Sequence, residues 1–158
     1  DMAKESLIKT DKSEHKGRSN PPAWKALEFM SFGTIIKLYE NLKNPKLLCE
    51  ISNVYGMSHP SQFSNYINVV RKLRNYCAHG KVLFDLNLDE AISDGPLGYL
   101  GNQKNSLFGI YSVFKYFLGR ISSNRVKEMQ ALRAFDRVPY PSVKTIIFNN
   151  SGFNIEDI

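Results

Sequence analysis

Arg74, Asn75 and His79 are the residues of this 158-residue chain whose types and spacing are best suited to chemistry. They lie in the string RNYCAH, where an amphipathic helical pattern ends. An Arg guanidinium presents a fixed fork of donors to phosphate oxygens, and an imidazole can take or give a proton near neutral pH. The set therefore indicates a site that binds a phosphodiester and moves protons around it.

Cleavage of RNA through its own 2′-hydroxyl is the reaction that such a set suits. A base removes the 2′-OH proton, the 2′-oxygen attacks the neighbouring phosphorus, and an acid protonates the leaving 5′-oxygen. The predicted reaction uses no metal and no other cofactor, because Arg74 would offset the charge that builds on the phosphoryl oxygens. In this interpretation His79 is the acid or base, and Asn75 orients the imidazole or holds a phosphate oxygen.

The same residues also have a simpler, structural interpretation, which the string alone favours. Arg74 could cap a helix or pair with a carboxylate, and His79 could be a half-buried residue with no part in catalysis. Five positions on an ideal helix separate the two side chains by roughly 140° of rotation. They therefore converge only if the helix ends near His79 and the chain turns at Gly80, or if a second subunit contributes.

The charge of the chain favours anionic partners. The formal net charge is +6, from 21 Lys and Arg against 15 Asp and Glu, and the isoelectric point is near 9.3. Arg71, Lys72 and Lys81 surround the motif and are the predicted RNA-binding residues, although a solvated helix end would have the same composition. The 42% of hydrophobic residues indicates a globular protein rather than a disordered one.

The number of cysteines and the length of the apolar stretches indicate the cellular compartment of the protein. Two cysteines suit a reducing compartment better than a disulfide framework. No apolar run approaches the roughly 18 residues of a membrane span, and the polar residues 1–20 do not read as a signal peptide. We therefore expect a cytoplasmic protein without membrane association. Residues 1–20 are predicted to be a polar arm, the remnant of a longer N-terminal region, and residues 21–158 one helical domain.

Hydrophobic periodicity predicts an all-α bundle of about five helices. The first, at residues 23–42, is apolar on two faces and is expected to be central, with Trp24 in the core. Gly80 is expected to end the helix that carries the motif, and an irregular loop follows it. The remaining predicted helices lie at residues 46–55, 61–79, 106–121 and 123–135, and residues 143–148 are ambiguous between helix and strand.

Three stretches of the chain resemble the abortive infection (Abi) family of bacterial phage-resistance proteins. They are PPAWKALEFMSFGTIIKLYENLK at residues 21–43, LRNYCAHG at residues 73–80 and NSLFGIYSVFKYFLGRIS at residues 105–122. The resemblance covers about residues 20–150. It implies a HEPN-like helical fold, in which an Arg-polar-x-x-x-His motif forms a metal-independent RNase site at a dimer interface. By this resemblance Arg74, Asn75 and His79 occupy the catalytic positions.

The resemblance also implies partners, and the chain departs from the family at one position. The expected partners are RNA, a second copy of the chain and a neutralising antitoxin or RNA. Many relatives have an Arg shortly after the motif His, where this chain has Val82, and Lys81 is the nearest residue that could replace its charge.

Two further interpretations stand beside the nuclease. One is a non-catalytic HEPN-like module that binds RNA or a partner protein, which Val82 favours. The other is a zinc site built from Cys49, His59, Cys77 and His79, which the spacing does not support. Both cysteines are expected to be packing residues on apolar helix faces.

Overall fold

A computed structural model describes residues 9–10, 22–83, 86–122 and 124–127. Within these ranges the protein is mostly helical and contains no β-strand, which confirms the all-α prediction. No helix in this part of the chain is both long and apolar enough to cross a bilayer. The helices are α1 (Ala23–Glu28), α2 (Phe32–Glu40), α3 (Pro45–Val54), α4 (Pro60–Ala78), a 3-10 helix (Gly101–Asn105) and α5 (Leu107–Ile121).

Two compact units divide the chain, Asp1–Asn41 and Leu42–Ile158. The first unit contains α1 and α2, so the single helix predicted for residues 23–42 was wrong. The break lies at Ser31, which has an extended backbone and is the N-cap of α2. Its hydroxyl accepts a hydrogen bond from the Thr34 N–H at 3.2 Å. Trp24 is 62% exposed and therefore is not a core residue, whereas Ile36 and Tyr39 are buried.

The core of the second unit is aromatic and joins α3, α4 and α5. The ring of Phe63 stacks on that of Tyr55 with 5.0 Å between centroids, and both rings meet Phe117 edge-on. Tyr66 on α4 makes edge-on contacts to Tyr116 and Phe117 on α5. Rings at these distances and angles stabilise a core beyond the area that they bury. The first half of α4 is therefore fixed in place by its neighbours.

The turn after α3 is also held by α5. Gly56 has a φ of +73°, a conformation that favours glycine, and a β-carbon there would collide with the side chains of Tyr116 and Arg120. The Tyr116 hydroxyl donates a hydrogen bond to the carbonyl of Tyr55. The end of α3 and the C-terminal half of α5 are thus joined at one place.

Irregular backbone follows α4, and part of it is tied to that helix. Asn65 Nδ2 donates to the Ala91 carbonyl at 3.1 Å, and Asn65 Oδ1 accepts from the Ser93 N–H at 2.9 Å. Leu88 and Ile92 are buried, and their N–H groups bond to the carbonyls of residues at the end of the 3-10 helix. The segment 86–105, which we call the anchored segment, therefore runs back along α4 as a packed layer.

Several predicted elements lie wholly or largely outside the described residues. They are the arm at residues 1–20, of which only residues 9–10 are described, the helix at 123–135, of which residues 124–127 are helical, and the segment 143–148.

Candidate active site

The end of α4 is built by a backbone motif with a glycine at its centre. Gly80 has a φ of +61° and follows His79, the last residue of near-helical conformation. The Gly80 N–H bonds to the Cys77 carbonyl at 3.2 Å, and the Lys81 N–H bonds to the Tyr76 carbonyl at 2.9 Å. This pair of bonds is the Schellman motif, which satisfies the last carbonyls of a helix. It fixes the direction in which the chain leaves His79.

Arg74 and Asn75 are brought together on the last turns of α4. Arg74 Nη1 donates to Asn75 Oδ1 at 3.2 Å, and the Arg74 side chain is exposed. A guanidinium held at one end by a neutral amide keeps its remaining N–H groups available for an anion. The alternative in which Arg74 pairs with a carboxylate is not seen among the described residues.

His79 is exposed and is not brought to Arg74 within one copy of the chain. The helix continues through Ala78, so the two side chains leave it about 140° apart. No hydrogen bond to another described residue engages the imidazole; the backbone N–H of His79 bonds to the Asn75 carbonyl at 3.0 Å. The helix ends at Ala78 and the chain turns at Gly80, as predicted, but the turn follows His79 and so does not redirect its side chain toward Arg74.

The three predicted RNA-binding residues have different surroundings. Arg71 Nε donates to Asn68 Oδ1 at 3.1 Å, and the Lys72 ammonium lies 3.5 Å from a carboxylate oxygen of Glu90. The Lys81 ammonium lies over the ring of Tyr76, 4.8 Å from its centroid. Lys72 is thus paired with an acidic residue of the anchored segment, whereas Lys81 contacts an aromatic ring beside the motif.

Tyr76 and Glu90 were missed by the sequence reasoning. The Tyr76 carbonyl accepts the Lys81 N–H in the Schellman motif. The position of Tyr76, four residues before the helix-ending Gly80, could have predicted this bond from the sequence. Glu90 reaches α4 from the anchored segment, 18 residues beyond Lys72. Nothing in the sequence pattern points to that contact.

Cys49 and Cys77 are both exposed, so the prediction that they are packing residues was wrong. Cys77 lies on the part of α4 that extends past the aromatic core, where the helical stripe no longer has a neighbour that covers it. Within the described ranges, no group of three or more His, Cys, Asp or Glu side chains could hold a metal ion. The residues proposed for zinc are therefore not assembled in this part of the chain.

Val82 is 77% exposed and follows directly on Lys81. A solvent-facing valine beside a basic residue leaves this position free for contact with another molecule.

Comparison with known proteins gives one result. The family model named Abi-like protein matches residues 1–85, which is more than half of the chain and includes the whole Arg74–His79 set. The match does not extend to residues 105–122. No curated protein and no solved structure matches the chain.

Proposed function

The chain belongs to the Abi-like protein family, and we propose that it is an endoribonuclease that cleaves RNA without a metal ion. The family indicates abortive infection, the bacterial defence against phage, as the biological setting. In this proposal the domain is HEPN-like, His79 transfers the proton, Arg74 binds the phosphate and Asn75 positions its neighbours. The observation that carries the proposal is that all three residues lie on one solvent-facing helix end.

The surroundings of the motif support substrate binding there. Arg74 is oriented by Asn75 and has further donors available, and Lys81, seven residues further along the chain, adds a second cation. Phosphate contacts of this kind supply most of the affinity of proteins for nucleic acids. The Schellman turn holds Lys81 and His79 in a fixed relation, because both flank Gly80.

Arg74 and His79 point in different directions from α4, so a site that uses both requires a second copy of the chain. If two copies meet through the exposed ends of α4, the Arg of one copy can face the His of the other. An interface of this kind would also cover Cys77 and Val82, which are exposed in the single chain. We therefore propose that the working site contains residues of both copies.

Cleavage of a single-stranded RNA in EDTA tests the catalytic proposal. His79→Ala should reduce the rate by at least about 10²-fold, since general acid–base catalysis typically contributes 10²–10⁴-fold. His59→Ala is the matched control, because His59 is an exposed residue at the other end of α4 with no side-chain cap bond. The control should cleave like the wild type, and an all-deoxy strand should stay intact. Equal rates for both variants would contradict the role of His79.

Mixing two inactive variants tests the shared site. In a mixture of Arg74→Ala and His79→Ala, half of the dimers are mixed and each mixed dimer regains one intact site, so roughly a quarter of the wild-type activity should return. No recovery after the subunits have exchanged would show that each copy supplies its own Arg and His.

Expression in a bacterial host tests the biological setting. The wild-type chain should arrest growth, and the His79→Ala variant should be tolerated, because the cleavage of host RNA is what would stop the cell. Equal tolerance of both would argue against a toxin-like nuclease.

Binding without cleavage is the second candidate function. It is favoured by Val82, which stands where many relatives have an Arg, and by the separation of Arg74 from His79 in one copy. Measurable RNA binding with no cleavage in the assay above would establish this function instead.

A further inference from the structure

A groove with a volume of about 730 Å³ lies along α5 and is lined in part by Tyr116, whose ring also contacts the aromatic core. Most of its lining residues belong to α5, and the others are Leu97 of the anchored segment and Val126. None of its lining residues belongs to the Arg74–His79 end of α4. The groove is therefore a separate feature of the second unit.

The two sides of α5 differ in chemistry. Ile110 and Val113 are fully buried on the core side. The groove side presents the half-buried rings of Phe108 and Tyr111 and the side chain of Lys115, which follow one another at intervals of three and four residues. Residues at this spacing form one continuous stripe on a helix. The groove thus has an aromatic surface with a cation next to it.

Among the described residues, the charged side chains that line the groove have one sign. They are Lys115 and Arg120. Arg120 is engaged, since its Nε donates to the Tyr116 hydroxyl at 3.3 Å and its guanidinium lies over the Tyr116 ring. Lys115 forms no ion pair with a described residue. An aromatic surface beside an ammonium is complementary to a planar group that carries an anion.

We propose that this groove binds an unpaired nucleotide of an RNA strand, with the base against the aromatic stripe and a phosphate at Lys115. The inference rests on the proposed function in that RNA is the substrate, and it adds a second place where the strand is held. Stacking of a base on an aromatic side chain is independent of sequence, because every base has a π-face. The groove therefore contributes affinity for single strands rather than for a particular sequence.

Binding of a 2′-O-methyl RNA strand tests the groove separately from cleavage, because this strand lacks the 2′-hydroxyl nucleophile. Lys115→Ala should weaken binding by at least about five-fold and lower the slope of log affinity against log salt by about 0.7, the contribution of one phosphate in a single strand. Lys46→Ala is the matched control, since Lys46 lies in the same unit with a side chain that is 85% exposed. It should change the affinity by less than about two-fold.

A second variant blocks the groove without changing its charge. Among the described residues, a β-carbon at Gly119 would meet Val126 alone, at 3.8 Å, so a larger side chain there extends into the groove. Gly119→Leu should weaken binding of the same strand as much as Lys115→Ala does, and thermal unfolding should show that both variants fold. If Lys115→Ala behaves like Lys46→Ala, or if Gly119→Leu binds like the wild type, the groove proposal is overturned.

The outcomes separate this proposal from the nuclease. Cleavage by the wild type with no effect of either groove variant on binding would overturn the groove alone. Binding that depends on Lys115 and Gly119, together with no cleavage, would overturn the nuclease and support the groove. If Gly119→Leu instead converts a dimer into a monomer in sedimentation experiments, the groove is an interface between copies and the proposal is wrong.

Discussion

The end of α4 and the anchored segment are ordered by different kinds of contact. The end of α4, from Arg74 to Val82, contains the proposed catalytic residues, and its side chains are mostly exposed. The anchored segment contains no proposed catalytic residue, yet it is fixed to α4 by several side-chain hydrogen bonds and by buried Leu88 and Ile92. One region is ordered chiefly by its own backbone, and the other by contacts with α4 and α5.

This difference indicates that the residues needed for activity and the residues needed for stability lie in different regions. A side chain that must meet a substrate or a second subunit cannot also be covered by its own chain. The helix end therefore obtains its order from the Schellman motif, which needs no side-chain partner. We expect substitutions in the helix end to change activity and substitutions in the anchored segment to change stability.

Arg74→Ala should have the largest effect, on activity alone. Loss of one preorganised donor to the developing charge typically costs about 10²–10³-fold in rate, while the exposed side chain contributes little to folding. Arg74→Lys, which keeps the charge without the bidentate fork, should recover only part of the rate. Single-turnover cleavage and urea unfolding measure the two quantities. A loss of stability above about 1 kcal/mol would give Arg74 a structural role.

Asn65→Ala should have the largest effect on stability. It removes a side chain that bonds to Glu90, Ala91 and Ser93, and loss of the set should cost about 2 kcal/mol. Asn53→Ala is the control, because Asn53 is exposed on α3 and its side chain has no such set of bonds. Urea unfolding compares the two. If cleavage by folded Asn65→Ala falls as far as in Arg74→Ala, the separation of the regions is wrong.

A glycine-to-alanine change can be compared between the two regions, at Gly80 in the helix end and at Gly98 in the anchored segment. Gly80 and Gly98 both have positive φ, +61° and +72°, and a β-carbon at either would meet nothing within 4 Å. Each change to Ala should therefore cost about 1–2 kcal/mol, the penalty of the left-handed conformation. Only Gly80→Ala should also slow cleavage, because Gly80 sets the position of Lys81 relative to His79. Thermal unfolding and cleavage of both variants test this, and equal activities would contradict it.

Tyr66→Phe should have the smallest effect, in the direction of higher stability. The Tyr66 side chain is fully buried, and its hydroxyl has no hydrogen-bond partner among the described residues. Replacing it with Phe should raise the free energy of unfolding by up to about 1 kcal/mol at neutral pH. The exposed Tyr99 supplies the control, Tyr99→Phe, which should have no effect.

The pH dependence of stability gives a second test of Tyr66. Burial raises the pKa of Tyr66 above its usual value near 10, and Tyr116 and Asp94 add to the shift. The backbone of Leu97 opposes it, from a position close to the hydroxyl but without the geometry of a hydrogen bond. Since the folded state retains the proton longer than the unfolded state, this contribution is present below about pH 10 and is lost as the pH rises through the folded pKa. Stability should therefore fall less steeply above pH 10 in Tyr66→Phe than in Tyr99→Phe. Parallel curves would contradict the burial of this group.

The end of α4 could be predicted from the sequence, because a helix-ending glycine such as Gly80 is a local signal. The catalytic roles of Arg74, Asn75 and His79 stay predictions. Local signals also predicted helices close to α3, α4 and α5. Apolar spacing predicted one continuous helix across Ser31, whereas the structure starts a new helix there. Apolar spacing does not show whether a serine continues a helix or caps a new one.

Burial and long-range contacts could not be predicted in the same way. Trp24 and Cys77 occupy apolar positions in the helical pattern, but burial requires a neighbouring element at that point, which periodicity does not reveal. The bonds from Asn65 to Ala91 and Ser93 join residues 26 and 28 positions apart. The loop composition of that stretch gave no sign that it would be an ordered layer.

Incubation in EDTA of a DNA strand that contains one ribonucleotide shows whether the 2′-hydroxyl of the substrate is the nucleophile. We expect one cut, directly 3′ of the ribonucleotide, because only that position has the attacking 2′-oxygen. One product should carry a 2′,3′-cyclic phosphate and the other a 5′-hydroxyl. The cut should be absent with His79→Ala and present with His59→Ala. Cuts at deoxynucleotides, 5′-phosphate products or full activity of His79→Ala would contradict metal-independent RNA cleavage by His79.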